Sequence, residues 1–340
     1  MTRKTLILTF LTIILISVSM LTSCSSQQKN EVVIYTSVDQ VFSEPILKSF
    51  EKETGIKVLP VYDVEAAKTT GLVNRVIAEK SSPKADVFWS GEFAQTIMLK
   101  EENTLAQYKS PNCQDIQKQY IDNENYWTGF GGRARVLLVN KNLLKQEDYP
   151  KSINDLLNEK YPANKIGIAY PMFGTTATHS AALYAQIGQE NGKKFFQSLK
   201  NRGVKVVDGN SVVRDMVVSG QLVMGLTDTD DAGSAIKKGE PVEMLFMDQD
   251  ANSFGTLIIP NTVAVIKNGP NTSNANKLVD YILSKDIEEK LTEAGWFDMT
   301  TRSSISGKSK LDVKGMQVDL NDIYKFMDIS KKDMQEIFVR

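Results

Sequence analysis

Short apolar runs rich in β-branched residues alternate along the chain with longer segments whose apolar positions recur every three or four residues. The first pattern reads as strand and the second as amphipathic helix. Residues 32–35 predict a buried strand. Ser43-Glu44-Pro45 predicts a helix start, because a hydroxyl cap followed by an acid and a proline suits a first turn. Ile46, Leu47 and Phe50 give that helix one apolar face, and Gly55 ends it. A strand over 56–61, a helix marked by Leu72, Val73, Val76 and Ile77, and a strand over 86–89 follow. Strand–helix–strand at this spacing demands crossover connections and therefore parallel pairing. Beyond a less regular stretch at 103–130, strands are expected at 134–139, 165–169, 204–207, 222–226, 257–259 and 262–266. A long helix is expected over 176–189, and helical segments close the chain. The pattern implies an α/β fold of two lobes rather than one large sheet.

The first 24 residues break this pattern. Arg3 and Lys4 precede an apolar run from Leu6 to Leu21, and Leu21-Thr22-Ser23-Cys24 follows. A basic start, an apolar core and small residues before a cut describe a secretory signal. The cysteine at the cut is similar to a bacterial lipobox, in which the thiol is acylated and becomes the first mature residue. Residues 1–23 are thus expected to be removed, Cys24 to carry lipid, and residues 24–30 to act as a polar tether. The remaining chain is then exported and held at the membrane by lipid alone. Cys113 has no disulfide partner left and is expected to be a buried thiol.

Composition narrows the function. Among 340 residues, 40 Lys and Arg against 41 Asp and Glu leave a net charge of -1. A nucleic-acid binder shows a basic excess or stripe, and neither is present. One histidine and two cysteines argue against zinc enzymes and Ser-His-Asp hydrolases. No P-loop, G-x-S-x-G or H-E-x-x-H motif occurs.

In open α/β sheets ligands sit beyond the carboxyl ends of strands, so the turns there hold the candidate chemistry. Ser37 and Asp39 follow the first strand, and Ser90 and Glu92 follow the third. Gly129-Phe130-Gly131-Gly132-Arg133 suits a lobe crossing, with Arg133 and Arg135 on one strand face and a guanidinium fork suited to an anion. Thr175 and Thr176, at a helix start, combine hydroxyls with backbone donors at the positive end of the helix dipole. His179, inside that helix, is assigned no role. Asn210 opens the next helix. Thr227-Asp228-Thr229-Asp230-Asp231 concentrates three carboxylates, which repel one another unless cations or hydroxyls are near. Ala232 and Gly239 break the calcium-loop pattern there.

The chain resembles the family 1 extracellular solute-binding proteins of bacterial ABC importers, nearest their ferric-iron-binding branch. The residues that carry this are the lipobox and segments 32–58, 85–92, 131–141, 208–226 and 255–267. The resemblance implies a type II periplasmic-binding-protein fold: two α/β lobes, a hinge and an interlobe ligand cleft. Residues 31–132 with about 262–300 would form lobe 1 and residues 133–261 lobe 2, with 301–340 as C-terminal helices of unassigned lobe. It further implies a non-catalytic monomer without cofactor that closes on a solute and docks on a permease and its ATPase. Ferric binders of this branch carry a tyrosine pair shortly after the segment matching Met224-Gly225-Leu226. Here Asp228, Asp230 and Asp231 stand there instead, so Asp228 and Asp230 are the candidate ligands for ferric or another hard cation. With Arg133 and the threonines, the same site suits a dipolar organic anion such as a phosphorylated sugar or an aminophosphonate. A carboxylate-dependent exported hydrolase and a sensor or adhesion lipoprotein are the readings from other classes.

Overall fold

The computed structural model describes residues 30–62, 70–303 and 313–338. The expected signal segment, Cys24 and most of the tether lie outside the described residues.

Three parallel strands begin the molecule. β1 (Glu31–Thr36) lies between β2 (Lys57–Tyr62) and β3 (Val87–Ser90), with Tyr35 opposite both Val61 and Phe88. α1 (Gln40–Thr54), α2 (Thr70–Ala78) and α3 (Ala94–Glu101) connect and cover them, and the short β4 (Leu105–Ala106) follows. α1 starts earlier than its sequence suggests. The carbonyl of Asp39 accepts from the N–H groups of Phe42 and Ser43. Ser43 is therefore inside the helix, buried, with its hydroxyl donating to the carbonyls of Val38 and Asp39. Gly55 ends α1 in the left-handed region, as expected.

β5 (Thr128–Asn140) is the long crossing strand. β6 (Ile166–Ala169), α4 (Gly174–Ile187), α5 (Gln189–Arg202), β7 (Lys205–Val207), α6 (Asn210–Val218), β8 (Met224–Asp228), α7 (Thr229–Lys237) and β9 (Val242–Leu245) follow. β10 (Ile258–Ile266), α8 (Thr272–Ile282), α9 (Lys285–Glu293) and α10 (Leu320–Ile337) complete the order. The expected strands at 257–259 and 262–266 are one strand, β10. Pro260 has no N–H to give to the ladder, and the register shifts between Pro260 and Asn261 instead of the strand ending. The expected long helix begins at Gly174 and stops at Ile187, where Gly188 turns the chain directly into α5.

The strands of the two expected lobes are joined rather than separate. Hydrogen bonds run in one path, β2-β1-β3-β10-β5-β8-β6-β7. The path changes character within β5. From Thr128 to Ala134 that strand pairs with β10, and from Arg135 onward it pairs with β8 and β9. The two sets of strands thus share a backbone rather than being separate. Just before the change, Gly131 has φ of +49°, and a Cβ there would collide with the Phe297 ring. Its N–H donates to the buried carboxylate of Glu288 (3.0 Å), which also binds Arg302 (2.7 Å).

α10 packs mainly on α4 and α5 and also reaches α3. Met334 and Phe338, at its far end, are buried with Phe196 and Tyr184, each contributing about 1.5–3 kcal/mol over an exposed side chain. Asp333 fixes that end, accepting from Tyr184 (3.0 Å) and Lys193 (2.6 Å). Cys113 is free and buried, its thiol donating to the Ser110 carbonyl.

Candidate functional site

A cleft of about 460 Å³ opens at the carboxyl ends of β1 and β3 on one side and the start of α4 on the other. Ser37, Glu92, Arg133 and Thr175, four of the residues expected from sequence, line it. Gly91, Gln95, Phe173, Trp296 and Lys331 line it too.

The wall at α4 is set by a network behind it. Arg135, wholly buried, donates from one guanidinium nitrogen to Asp228 (2.6 Å), Thr175 (3.1 Å) and Asn210 (3.1 Å). Thr175 donates to the other Asp228 oxygen at 2.6 Å, and the Asn210 amide donates to that oxygen at 3.0 Å. Thr176 bonds Asn210 at 3.2 Å. Burial pushes the Asp228 carboxyl up, but Arg135, Arg133 and the Thr175 hydroxyl outweigh it and hold the group below its ordinary value. Asp228 is therefore an anion whose lone pairs are already taken. It fixes Thr175 and the α4 N-terminus in place. Burial, with Arg135 nearby, drives His179 down to about 3, so its imidazole is neutral and inert.

Arg133 faces the cleft. Its Nε, like that of Arg135, is buried without a hydrogen-bond partner, and the carboxylates of Asp228 and Asp230 stand 3.9 and 4.0 Å from its guanidinium. No side chain caps α4, since its cap position is Phe173. First-turn N–H groups of such a helix need acceptors from outside it. An unsaturated guanidinium beside uncapped backbone donors is a seat for an anion.

The opposite wall is differently made. The Ser37 hydroxyl accepts from the Gly91 N–H (3.1 Å) and reaches Ser90 (3.5 Å). Glu92 accepts from the N–H groups of Ala94 (3.0 Å) and Gln95 (3.1 Å), so its carboxylate caps α3. Burial pushes its carboxyl up, against those two hydrogen bonds and Arg133. Trp296, whose indole N–H donates to Asn261 at 3.1 Å, is an apolar face there.

The remaining expected residues stand elsewhere. Ser90, Thr176 and Asp228 are buried behind the cleft surface, and half-buried Asn210 is outside the lining. Asp39 precedes α1 outside the lining, and exposed Asp230 lines a separate groove with Lys237 and Asp298. Asp231 turns away to Arg214 (2.9 Å), and burial together with Asp230 pushes it up to about 6. Among the described residues, no three His, Cys, Asp or Glu side chains cluster so as to hold a metal ion. Trp296 and Lys331 were not marked by sequence, because they come from C-terminal segments whose packing no local motif records.

A family model described as bacterial extracellular solute-binding protein matches residues 81–304. The chain is 25% identical over 266 residues to the major ferric iron-binding protein of Neisseria meningitidis, covering 77% of this chain and 78% of that one. It is 23% identical over 300 residues to a putative 2-aminoethylphosphonate-binding periplasmic protein of Salmonella typhimurium, covering 86% and 85%. The open-form crystal structure of Mannheimia haemolytica ferric iron-binding protein A superposes with a TM-score of 0.79 at 24% identity, over 91% of this chain and 98% of that one. The likeness to that structure gives the type II periplasmic-binding-protein fold. By the match of the family model to residues 81–304, and with the fold in agreement, the chain belongs to the bacterial extracellular solute-binding proteins.

Proposed function

We propose that this protein is the lipid-anchored binding component of an ABC importer, and that its cargo is a small organic anion with a phosphoryl or phosphonate head. The observation that carries the ligand is Arg133: a cleft-lining guanidinium whose carboxylate contacts are no shorter than 3.9 Å, beside an uncapped helix start. Arg135 neutralises Asp228 behind that seat, so the adjacent carboxylate does not repel an incoming anion. The wall with Ser37, Glu92 and Trp296 suits the hydroxylated or amino-bearing remainder of the ligand.

A bare ferric ion is supported less well. Fe(III) favours several anionic oxygen donors, and among the described residues the cleft lining has one carboxylate, already engaged as a helix cap, and no tyrosine. A single lining carboxylate also gives a hydrolase no facing acid pair. Export and acylation rest on the lipobox at Cys24. The lobe division follows the change of partner inside β5, with the pivot at Gly131 and Gly132. Closure of the lobes onto cargo would present a monomer to the permease, which passes cargo on to the ATPase-driven cycle.

Isothermal titration of the mature chain against 2-aminoethylphosphonate, hexose phosphates and ferric citrate tests the ligand. The expected result is binding of a phosphonate or phosphate ester at about micromolar Kd or tighter. Tight uptake of iron with no heat from the organic anions would overturn it.

A further inference from the structure

We propose that Lys331, on the C-terminal helix, is a specificity-determining residue that reads the second negative charge of a dianionic head group. The inference rests on the anionic-ligand reading above and adds a residue to it.

Met327 and Lys331 are four residues apart on α10 and so share one helix face, and both line the cleft. The helix is not a loose appendage. Asp333, two residues further on, is tied to Tyr184 of α4 and Lys193 of α5. The backbone of Lys331 is thereby fixed relative to the α4 start, where Arg133 and the free N–H groups form the anion seat. At its other end α10 packs with α3, whose Ala94 and Gln95 line the opposite wall.

The ammonium of Lys331 has no carboxylate within ion-pair distance among the described residues. Among the described residues its charged group meets the ring of Phe173, 5.8 Å to the centroid, near the outer limit of about 6 Å for a cation–π contact. Phe173 is itself 68% exposed and lines the cleft at the α4 cap position. A long, uncommitted cation therefore rests on an exposed ring at the edge of an anion seat. Its flexible stem lets it leave that ring for a ligand oxygen. Arg133 and the helix start suffice for one negative charge, and Lys331 supplies the counter-charge for a second.

Titration of the full mature chain at about pH 8, above the second phosphate ionisation near 6, separates these contributions. The probes are 2-aminoethylphosphonate, which is dianionic there, and 2-aminoethanesulfonate, its tetrahedral monoanionic counterpart. Lys331→Gln is expected to weaken the phosphonate by about tenfold and the sulfonate by less than about twofold, with Lys331→Arg restoring the preference. Circular dichroism and melting of both variants confirm an unchanged fold. Arg133→Gln serves as the control and is expected to weaken both probes. If wild type binds and Arg133→Gln does not, while Lys331→Gln keeps the preference, the role of Lys331 is refuted and the anion seat stands. If wild type binds neither probe nor inorganic phosphate, both fall.

Discussion

Arg133 and Arg135 sit two residues apart on one strand and, by spacing, on one face, yet they occupy opposite chemical worlds. Arg135 is enclosed, shared among Asp228, Thr175 and Asn210. Arg133 is partly open, and its carboxylate contacts are no shorter than 3.9 Å. The cause is the strand itself. Arg133 lies opposite Ile259 of β10, whereas Arg135 lies opposite Asp228 of β8. The ladder changes partner between them, so one side chain enters the packed network behind α4 and the other enters the cleft in front of it. Charge alone does not make a ligand contact, and neither does an unpaired Nε, which both arginines have; a place in the cleft lining decides which arginine can take one.

The largest test of this contrast removes the saturating anion. Asp228→Ala would leave Arg135 buried and unpaired, and is expected to lower unfolding free energy by about 3–5 kcal/mol in urea denaturation. Arg133→Gln, by comparison, should stay within about 0.5 kcal/mol of wild type while losing ligand. Equal stabilities of the two variants would erase the distinction.

A smaller effect concerns Asp231, where pH sharpens the picture. Its folded pKa, pushed up to about 6 by burial and Asp230, lies above the unfolded value near 4. Between those values the native state holds the extra proton, so stability falls as pH rises through that window. Asp231→Asn should remove this slope, gaining about 1–2 kcal/mol on wild type between about pH 4 and pH 7. Parallel urea curves at both pH values, with no change in the difference, would contradict it.

The smallest effect is at Asp230. Its carboxylate is exposed and 4.0 Å from Arg133, so it competes weakly with an anion for that guanidinium. Asp230→Ala should raise anion affinity by about twofold in low salt and not at all in high salt. A large loss of affinity would instead make Asp230 a direct contact, as the acidic run alone suggests.

Much of the fold was legible because buried strands and amphipathic helices write their period into the chain. Residues 32–35, 86–89 and 204–207 read directly as strands, and Gly55 as a helix stop. Ser37, Glu92 and Thr175 could be placed at the cleft because each follows a strand end or opens a helix, and Arg133, inside β5, because a run of glycines marks the crossing before it. The division of labour within Thr227–Asp231 was not legible. Whether a carboxylate points at ligand, at Arg135 or at Arg214 depends on neighbours contributed by distant segments. Lys331 and Trp296 were invisible for the same reason: an isolated lysine in an amphipathic helix carries no sign of what that helix will face. Pro260 misled in a more local way, since a proline inside an apolar run looks like a strand end when the ladder can absorb it as a register shift.

The single hydrogen-bonded path through β5 has a thermodynamic corollary. Residues 128–134 of that strand complete one set of strands and residues 135–140 complete the other. Melting either set would strip partners from the same stretch of backbone and expose unpaired edges in its neighbour. With that strand shared, the two halves are expected to denature together, whatever bending the proposed pivot at Gly131 and Gly132 allows.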